Sequence, residues 1–132
     1  MKFTIPGAPV GKARPRVTRW GTHTPEKTVL YENLVKLSYQ EQCGTYTEKP
    51  LKAVISVFYD IPKSTPKKNI KPMLNGEIRP CKKPDCDNIA KIILDALNGT
   101  AYKDDAQIID LRITKHYAEK ASVEVELQEV NK

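Results

Sequence analysis

A chain of 132 residues has room for one hydrophobic core, and 39% hydrophobic with 29% charged residues is the balance of a globular protein. No apolar run reaches the eighteen or so residues of a membrane span, the opening MKFTIPGAPVGK lacks the apolar centre of a secretory signal, and three cysteines (Cys43, Cys81, Cys86) make no disulfide scaffold, so a cytoplasmic protein with no membrane partner is expected. The net charge of +6 divides unevenly: residues 1–83 hold 16 basic and 6 acidic side chains, residues 84–132 hold 6 and 10, which points to a polyanionic partner beside a separate concentration of carboxylates.

The first predicted element is a short strand over Lys2 to Pro6, with Phe3 and Ile5 on one face. Residues 7–23 read as a basic loop with no acid before Glu26. Thr24 as N-cap and Pro25 at the first helical position then open a helix expected to run to about Cys43, with Leu30, Leu34, Leu37 and Glu41 at helical spacing and Gly44 as the stop. Residues 51–61, LKAVISVFYDI, have the β-branched and aromatic content of a central strand. Residues 62–84 hold five prolines and six lysines and read as a long functional or mobile loop. A second helix is predicted from about Asp87 to Asn98, with Ile89, Ile92, Ile93, Ala96 and Leu97 as its apolar stripe and Asn98-Gly99 as its end. Two alternating runs follow, Gln107 to Tyr117 with Ile109, Leu111 and Ile113 inward, and a second through Val123, Val125 and Leu127. Lying a few residues apart, they are expected to form an antiparallel hairpin. The expected fold is α+β: a single domain over residues 1–132, in the order β-α-β-loop-α-β-β, with two main helices packed on a mixed or antiparallel sheet.

The chemistry concentrates in residues 82–108, KKPDCDNIAKIILDALNGTAYKDDAQI. Asp85 and Asp87, two apart at a helix start, can point to the same side. Lys91 and Asp95 continue from Asp87 in steps of four along one helix face, away from the apolar stripe. Asp104 or Asp105 can return to that pair if helix and strand are neighbours. Convergent carboxylates with a lysine suit a Mg²⁺-dependent phosphoryl-transfer site, since Mg²⁺ takes hard oxygen ligands and the lysine can stabilise the charge of the attacked phosphate. The same residues also admit a structural reading: Asp87 as an N-cap, Lys91 with Asp95 as an ion pair, and Asp104-Asp105 as a turn. Asp95 is the weakest functional candidate of the set.

The block KPDCDNIAKIILDALNGTAYKDDAQI resembles the signature of the RusA family of Holliday junction resolvases, and the basic opening GKARPRVTRWGTHTPEKTVLYE resembles that family's first segment. The resemblance implies a homodimeric α+β endonuclease that uses Mg²⁺ and resolves four-way DNA junctions by paired symmetrical nicks. Carried over by position, the metal-binding aspartates fall on Asp85, Asp87 and Asp105, with Asp104 as the other choice for the third, and the catalytic lysine falls on Lys91.

Junction DNA is dense in phosphate, and Lys12, Arg14, Arg16 and Arg19 in the first loop, Lys67, Lys68 and Lys71 in the Pro-rich segment, and Lys82 and Lys83 before the acidic block are the candidate phosphate contacts. Any single lysine among them also fits an ordinary solvated surface. Trp20 is expected to anchor its loop in the core rather than to stack on a base. Cys81 and Cys86 lack the partners of a zinc site, His23 and His116 lack a nucleophile, and no phosphate-cradling G-x-x-x-x-G-K-[ST] occurs. The functional expectation is thus a Mg²⁺-dependent resolvase of branched DNA, with a less selective flap nuclease and a non-catalytic DNA-binding module as rivals.

Overall fold

In the computed structural model, which describes residues 1–12, 16–19, 21–23 and 25–130, the chain runs β1 (Lys2–Pro6), β2 (Arg16–Thr18), β3 (Gly21–His23), α1 (Glu26–Gln42), β4 (Leu51–Asp60), α2 (Lys67–Leu74), α3 (Cys86–Ala96), β5 (Ile108–Ala118) and β6 (Ser122–Glu129). Four strands form one mixed sheet in the order β1-β6-β4-β5, and β2 and β3 form a separate two-stranded ribbon. Alternation places Leu51, Ala53, Ile55, Val57 and Tyr59 of β4 on one buried face, together with Val123, Val125 and Leu127 of β6 and Phe3 and Ile5 of β1. Helices α1 and α3 complete that core with Tyr31, Val35, Tyr39, Ile89, Ile92, Ile93 and Leu97. The α+β class and the central place of β4 match the sequence reading.

The expected hairpin between the last two strands does not form. β4 lies between them, antiparallel to β6 and parallel to β5, and the residues between Ala118 and Ser122 step across its end. The apolar face of β4 explains this, since a β5–β6 pair would push the most buried strand of the molecule to the sheet's rim. The parallel pairing in turn uses the long helical connection from β4 to β5 as its crossover. As a consequence β5 is an edge strand, and Ile109 and Leu111, expected inward, stand 62% and 45% exposed.

Three further expectations are corrected. The segment 62–84 contains α2, which follows the extended Pro66 and turns Ile70 and Met73 inward, with Lys71 near its negative end. The opening loop contains the β2–β3 ribbon, which pairs Arg16 with His23 and Val17 with Thr22. In α1 two of the three leucines do not face the core: Leu30 and Leu37 are 61% and 52% exposed, while Leu34 packs against it half-buried and Thr28, Tyr31, Val35, Ser38 and Tyr39 are buried. Tyr39 decides that orientation by packing edge-on against Phe3, ring centroids 5.2 Å apart, and donating to the Thr45 carbonyl at 2.6 Å. Thr24 and Trp20 lie outside the described residues, and Pro25 stands at the N-cap.

Candidate active site

Helix α3 is amphipathic in the strict sense: Ile89, Ile92, Ile93 and Ala96 enter the core, so Asp87, Lys91 and Asp95 must look elsewhere. Asp85 is its N-cap by backbone position, with φ −68° and ψ 154°, but its carboxylate accepts no hydrogen bond from the first turn. Asp87 sits in that first turn, where the positive end of the helix favours a carboxylate. Asp85, Asp87 and Lys91 are all exposed. Among the described residues no ion pair joins Lys91 to Asp87 or Asp95.

Asp95 has different partners. Lys12 Nζ lies 3.5 Å from its Oδ2 and 2.9 Å from Glu32 Oε2 on α1. Burial pulls the Lys12 ammonium down, but the bond to Glu32 and the charges of Glu32 and Asp95 outweigh it and hold the group above its usual range. Lys12 arrives there because the backbone just before it packs directly on α3. A Cβ at Gly11 would lie 2.8 Å from Pro84 Cβ, and Lys12 N donates to the Asn88 carbonyl at 3.1 Å. Lys12 is therefore turned toward carboxylates.

The strand side is delivered by a 3₁₀ turn at Asp105–Gln107. Asp104 caps it: its Oδ2 accepts from Ala106 N at 3.2 Å, and Gln107 Oε1 accepts from Asp104 N at 3.0 Å. Gln107 Nε2 donates to the carbonyls of Thr47 and Lys49, which ties the turn to the loop before β4. With Asp104 occupied as a cap, Asp105 projects against Asp95. Its carboxyl is held above the ordinary range, first by burial, then by the hydrogen bond with Asp95 and the charge of Asp104. Beneath it the buried Tyr102 donates its hydroxyl to the Leu94 carbonyl at 2.6 Å, which pins the returning chain to α3.

The acidic row therefore has two ends. At the C-terminal end of α3, Asp95, Asp105 and Asp104 crowd together. At the N-terminal end, Asp85 borders an open cleft of about 570 Å³ lined by Gly11, Lys12, Lys27, Lys83, Pro84 and Asn88. Among the described residues no group of three or more acidic, His or Cys side chains is gathered tightly enough to hold a metal ion. The donor chemistry nonetheless fits a hard cation, because Asp85, Asp87, Asp95, Asp104 and Asp105 all offer carboxylate oxygens.

Of the cationic candidates, Lys67, Lys68, Lys71 and Lys83 are exposed, as is Arg19. Arg16 lies on β2, and Arg14 falls outside the described residues. Lys82 is drawn over the Tyr59 ring, 4.7 Å from its centroid. Cys81 and Cys86 are free thiols. Sequence reasoning missed Glu32 and Gln107 and undervalued Asp95. Glu32 stands one turn after the buried Thr28, a clue only once the inward face of α1 is known.

The profile of the RusA endodeoxyribonuclease family matches residues 6–128, which takes in the ribbon, both main helices and every residue of the acidic row. The chain is also 37% identical to the uncharacterized protein YqaN of Bacillus subtilis strain 168, over 99% of this chain and 97% of that protein. A match of this extent, on a fold that carries the family's acidic block on α3 and the turn after it, has one conclusion: the chain belongs to the RusA family of Holliday junction-resolving endodeoxyribonucleases.

Proposed function

We propose that this chain, as one catalytic domain over residues 1–132, is a Mg²⁺-dependent cytoplasmic endonuclease. It works as a homodimer and resolves four-way DNA junctions by paired symmetrical nicks during recombination, repair or phage DNA processing. The observation that carries the reading is the return of Asp105 to Asp95 on the polar row of α3, away from the core, while Asp85 at the other end of that row borders a cleft rimmed by Lys12, Lys27 and Lys83.

Asp85, Asp87 and Asp105 would hold the cation, with Asp104 left to cap the turn. Bound there, Mg²⁺ supplies polarisation of the phosphate and a water of lowered pKa. The chain's own residues do the remaining work. Lys91 stands one turn after Asp87 and offers an ammonium to the phosphate oxygen that gains charge. Arg14, Arg16, Arg19, Lys67, Lys68 and Lys83 contact the backbone phosphates that orient the junction, and their contribution falls as salt rises. Lys12, held by Glu32 and Asp95, braces the base of the row and also meets DNA at the cleft. Hydrolysis leaves a 5′-phosphate and a 3′-hydroxyl.

The test is cleavage of a synthetic mobile four-way junction in Mg²⁺, compared with linear duplex and flap DNA of the same sequence. Paired nicks on the junction alone support the proposal. Equal cutting of flaps makes the enzyme a general branched-DNA nuclease, and binding without nicks makes it a non-catalytic module. Mg²⁺ should also raise the melting temperature of the DNA-free protein, and that rise should disappear in Asp87→Asn.

A further inference from the structure

Arg79, Lys82 and Lys115 are drawn to one place, where the segment before α3 meets the second half of β5. Arg79 Nε donates to the Lys115 carbonyl at 2.6 Å, and Lys115 Nζ donates to the Lys82 carbonyl at 2.7 Å. Lys115 pairs with Val57 across the β4–β5 seam, so it stands on the helix-bearing side of the sheet, as Tyr59 does. Its ammonium lies 6.0 Å from the centroid of the Tyr59 ring, and that of Lys82 lies 4.7 Å from the same centroid. Among the described residues no carboxylate pairs with any of these three cations.

Like charges gathered in this way repel, and backbone carbonyls and the negative face of one ring offset only part of that repulsion. The positive field is felt by a neighbour: burial first, and then the charge of Arg79, hold His116 below its usual range. Cations clustered without an acid are ready for an anion brought from outside. The place also lies close to the acidic row. Tyr59 is 4% exposed, and its hydroxyl is pushed up first by burial and then by Cys86, which sits between Asp85 and Asp87.

We propose that Arg79, Lys82 and Lys115 form a preorganised clamp for a phosphodiester group of the DNA backbone, with the Tyr59 ring as its floor. With Nε spent on the Lys115 carbonyl, Arg79 keeps its terminal N–H groups for phosphate oxygens, and Lys82 makes no side-chain hydrogen bond among the described residues. Arg79 and Lys115 are already fixed by carbonyls, so they lose less freedom on binding than the exposed Lys67 and Lys68 of α2. The clamp contains no carboxylate to hold a metal, so its phosphate is a neighbour of the one that is cut, and its task is to set the strand's register at the acidic row. The identity of the ligand as DNA rests on the junction-resolving reading above; the convergence of the cations does not.

Binding of a synthetic four-way junction in metal-free buffer, titrated over a range of NaCl, tests the clamp apart from any cutting. Lys82→Met keeps an apolar stem against the ring and removes the charge, so the melting temperature should hardly move. It should weaken junction binding about 10-fold and flatten the salt dependence by about one unit, the value of one lost phosphate contact. Arg79→Met should do the same, and Lys82→Arg should keep the wild-type slope. Lys2→Met, the same loss of charge on β1 at the far rim of the sheet, should leave the slope unchanged. Acetylation of Lys82 and Lys115, read by mass spectrometry, should be suppressed by the junction but not by inorganic phosphate at the same phosphate concentration. An unchanged slope in Lys82→Met and Arg79→Met overturns the proposal and leaves the three cations as a brace for the β5 edge. An equal loss in Lys2→Met also overturns it, since net charge alone would then explain the effect, and so does equal protection by inorganic phosphate, which would make this a site for the free ion. A protein that shows the slope changes yet never nicks a junction in Mg²⁺ counts against the functional reading and not against the clamp, whereas a wild-type chain that binds no DNA overturns both.

Discussion

Helices α1 and α3 pack against one another and on the same side of one sheet, but they meet it with different chemistry. In α3 the large aliphatics gather on one face, and the opposite face carries Asp87, Lys91 and Asp95. In α1 apolar residues are distributed around the whole circumference, and the face that enters the core holds Thr28, Tyr31, Val35, Ser38 and Tyr39, leaving Leu30 and Leu37 to solvent. A segregated helix separates support from chemistry, because its apolar stripe fixes the axis while its polar row stays available. An unsegregated helix is oriented by particular side chains, here Tyr39 with its edge-on packing against Phe3 and its hydrogen bond to Thr45. It carries costs too: burial pushes the Tyr31 hydroxyl well above its usual pKa, and among the described residues that hydroxyl has no hydrogen-bond partner.

The sharpest way to test this contrast is to change the polar row of α3 without touching its stripe. Asp87→Asn is nearly isosteric and exposed, so folding should be unaffected while the charge proposed to hold the metal is lost. Losing several kcal/mol of transition-state stabilisation corresponds to a fall in nicking rate of about 10³-fold or more, with junction binding retained. Single-turnover cleavage near the wild-type rate would show that the row is structural after all.

The opposite experiment changes the stripe. Ile92 is fully buried, so Ile92→Ala should lower unfolding stability by about 2–5 kcal/mol, measured by urea titration. A loss below about 1 kcal/mol would mean that α3 is not the helix that anchors the site.

Lys91→Ala lies between the two in size. As an ammonium that answers charge developing during attack, Lys91 should be worth about 10²–10³-fold in the single-turnover rate, with junction affinity little changed. Because no ion pair joins it to Asp87 or Asp95 among the described residues, the melting temperature should hardly move. A variant that cuts normally would reduce Lys91 to a surface residue.

The smallest effect is expected on α1. Leu30→Ala removes a side chain that is 61% exposed, so the stability change should stay within about 0.5 kcal/mol. A larger loss in a thermal melt would reveal that the outer face of α1 is covered in solution, and the contrast between the two helices would collapse.

Much of this arrangement is legible along the chain. Period-two alternation located β1 and β6 with their inward faces, β-branched and aromatic content located β4, and the Ile-Leu stripe located α3 with its outward row. All three are local signals, carried within ten residues or so. The failures were of a different kind. The leucines of α1 sit at helical spacing, yet spacing alone does not choose a face when apolar residues occur all round. The Pro-rich segment hid α2 because prolines before a helix and in its last turn resemble those of a loop. Asp95 looked like a partner for Lys91 because four-residue spacing permits that pair, but Lys12, eighty-odd residues earlier in the chain, takes the place.

What the sequence determined by itself is therefore the inventory: the α+β class, the acidic row and its segregation from the core, and the excess of cations in the first two-thirds of the chain. What only the tertiary structure decided is adjacency. β4 takes the centre because it has the most apolar surface to hide, and this separates two strands that are neighbours in sequence. Gln107 locks the turn that sends Asp105 to Asp95 while Asp104 caps it, a division of labour between adjacent aspartates that no pattern of residue types distinguishes. Strand order also leaves the first half of β5 bare. Periodicity reports which way a side chain faces, whereas contacts between distant segments follow from which surfaces gain most by being buried together.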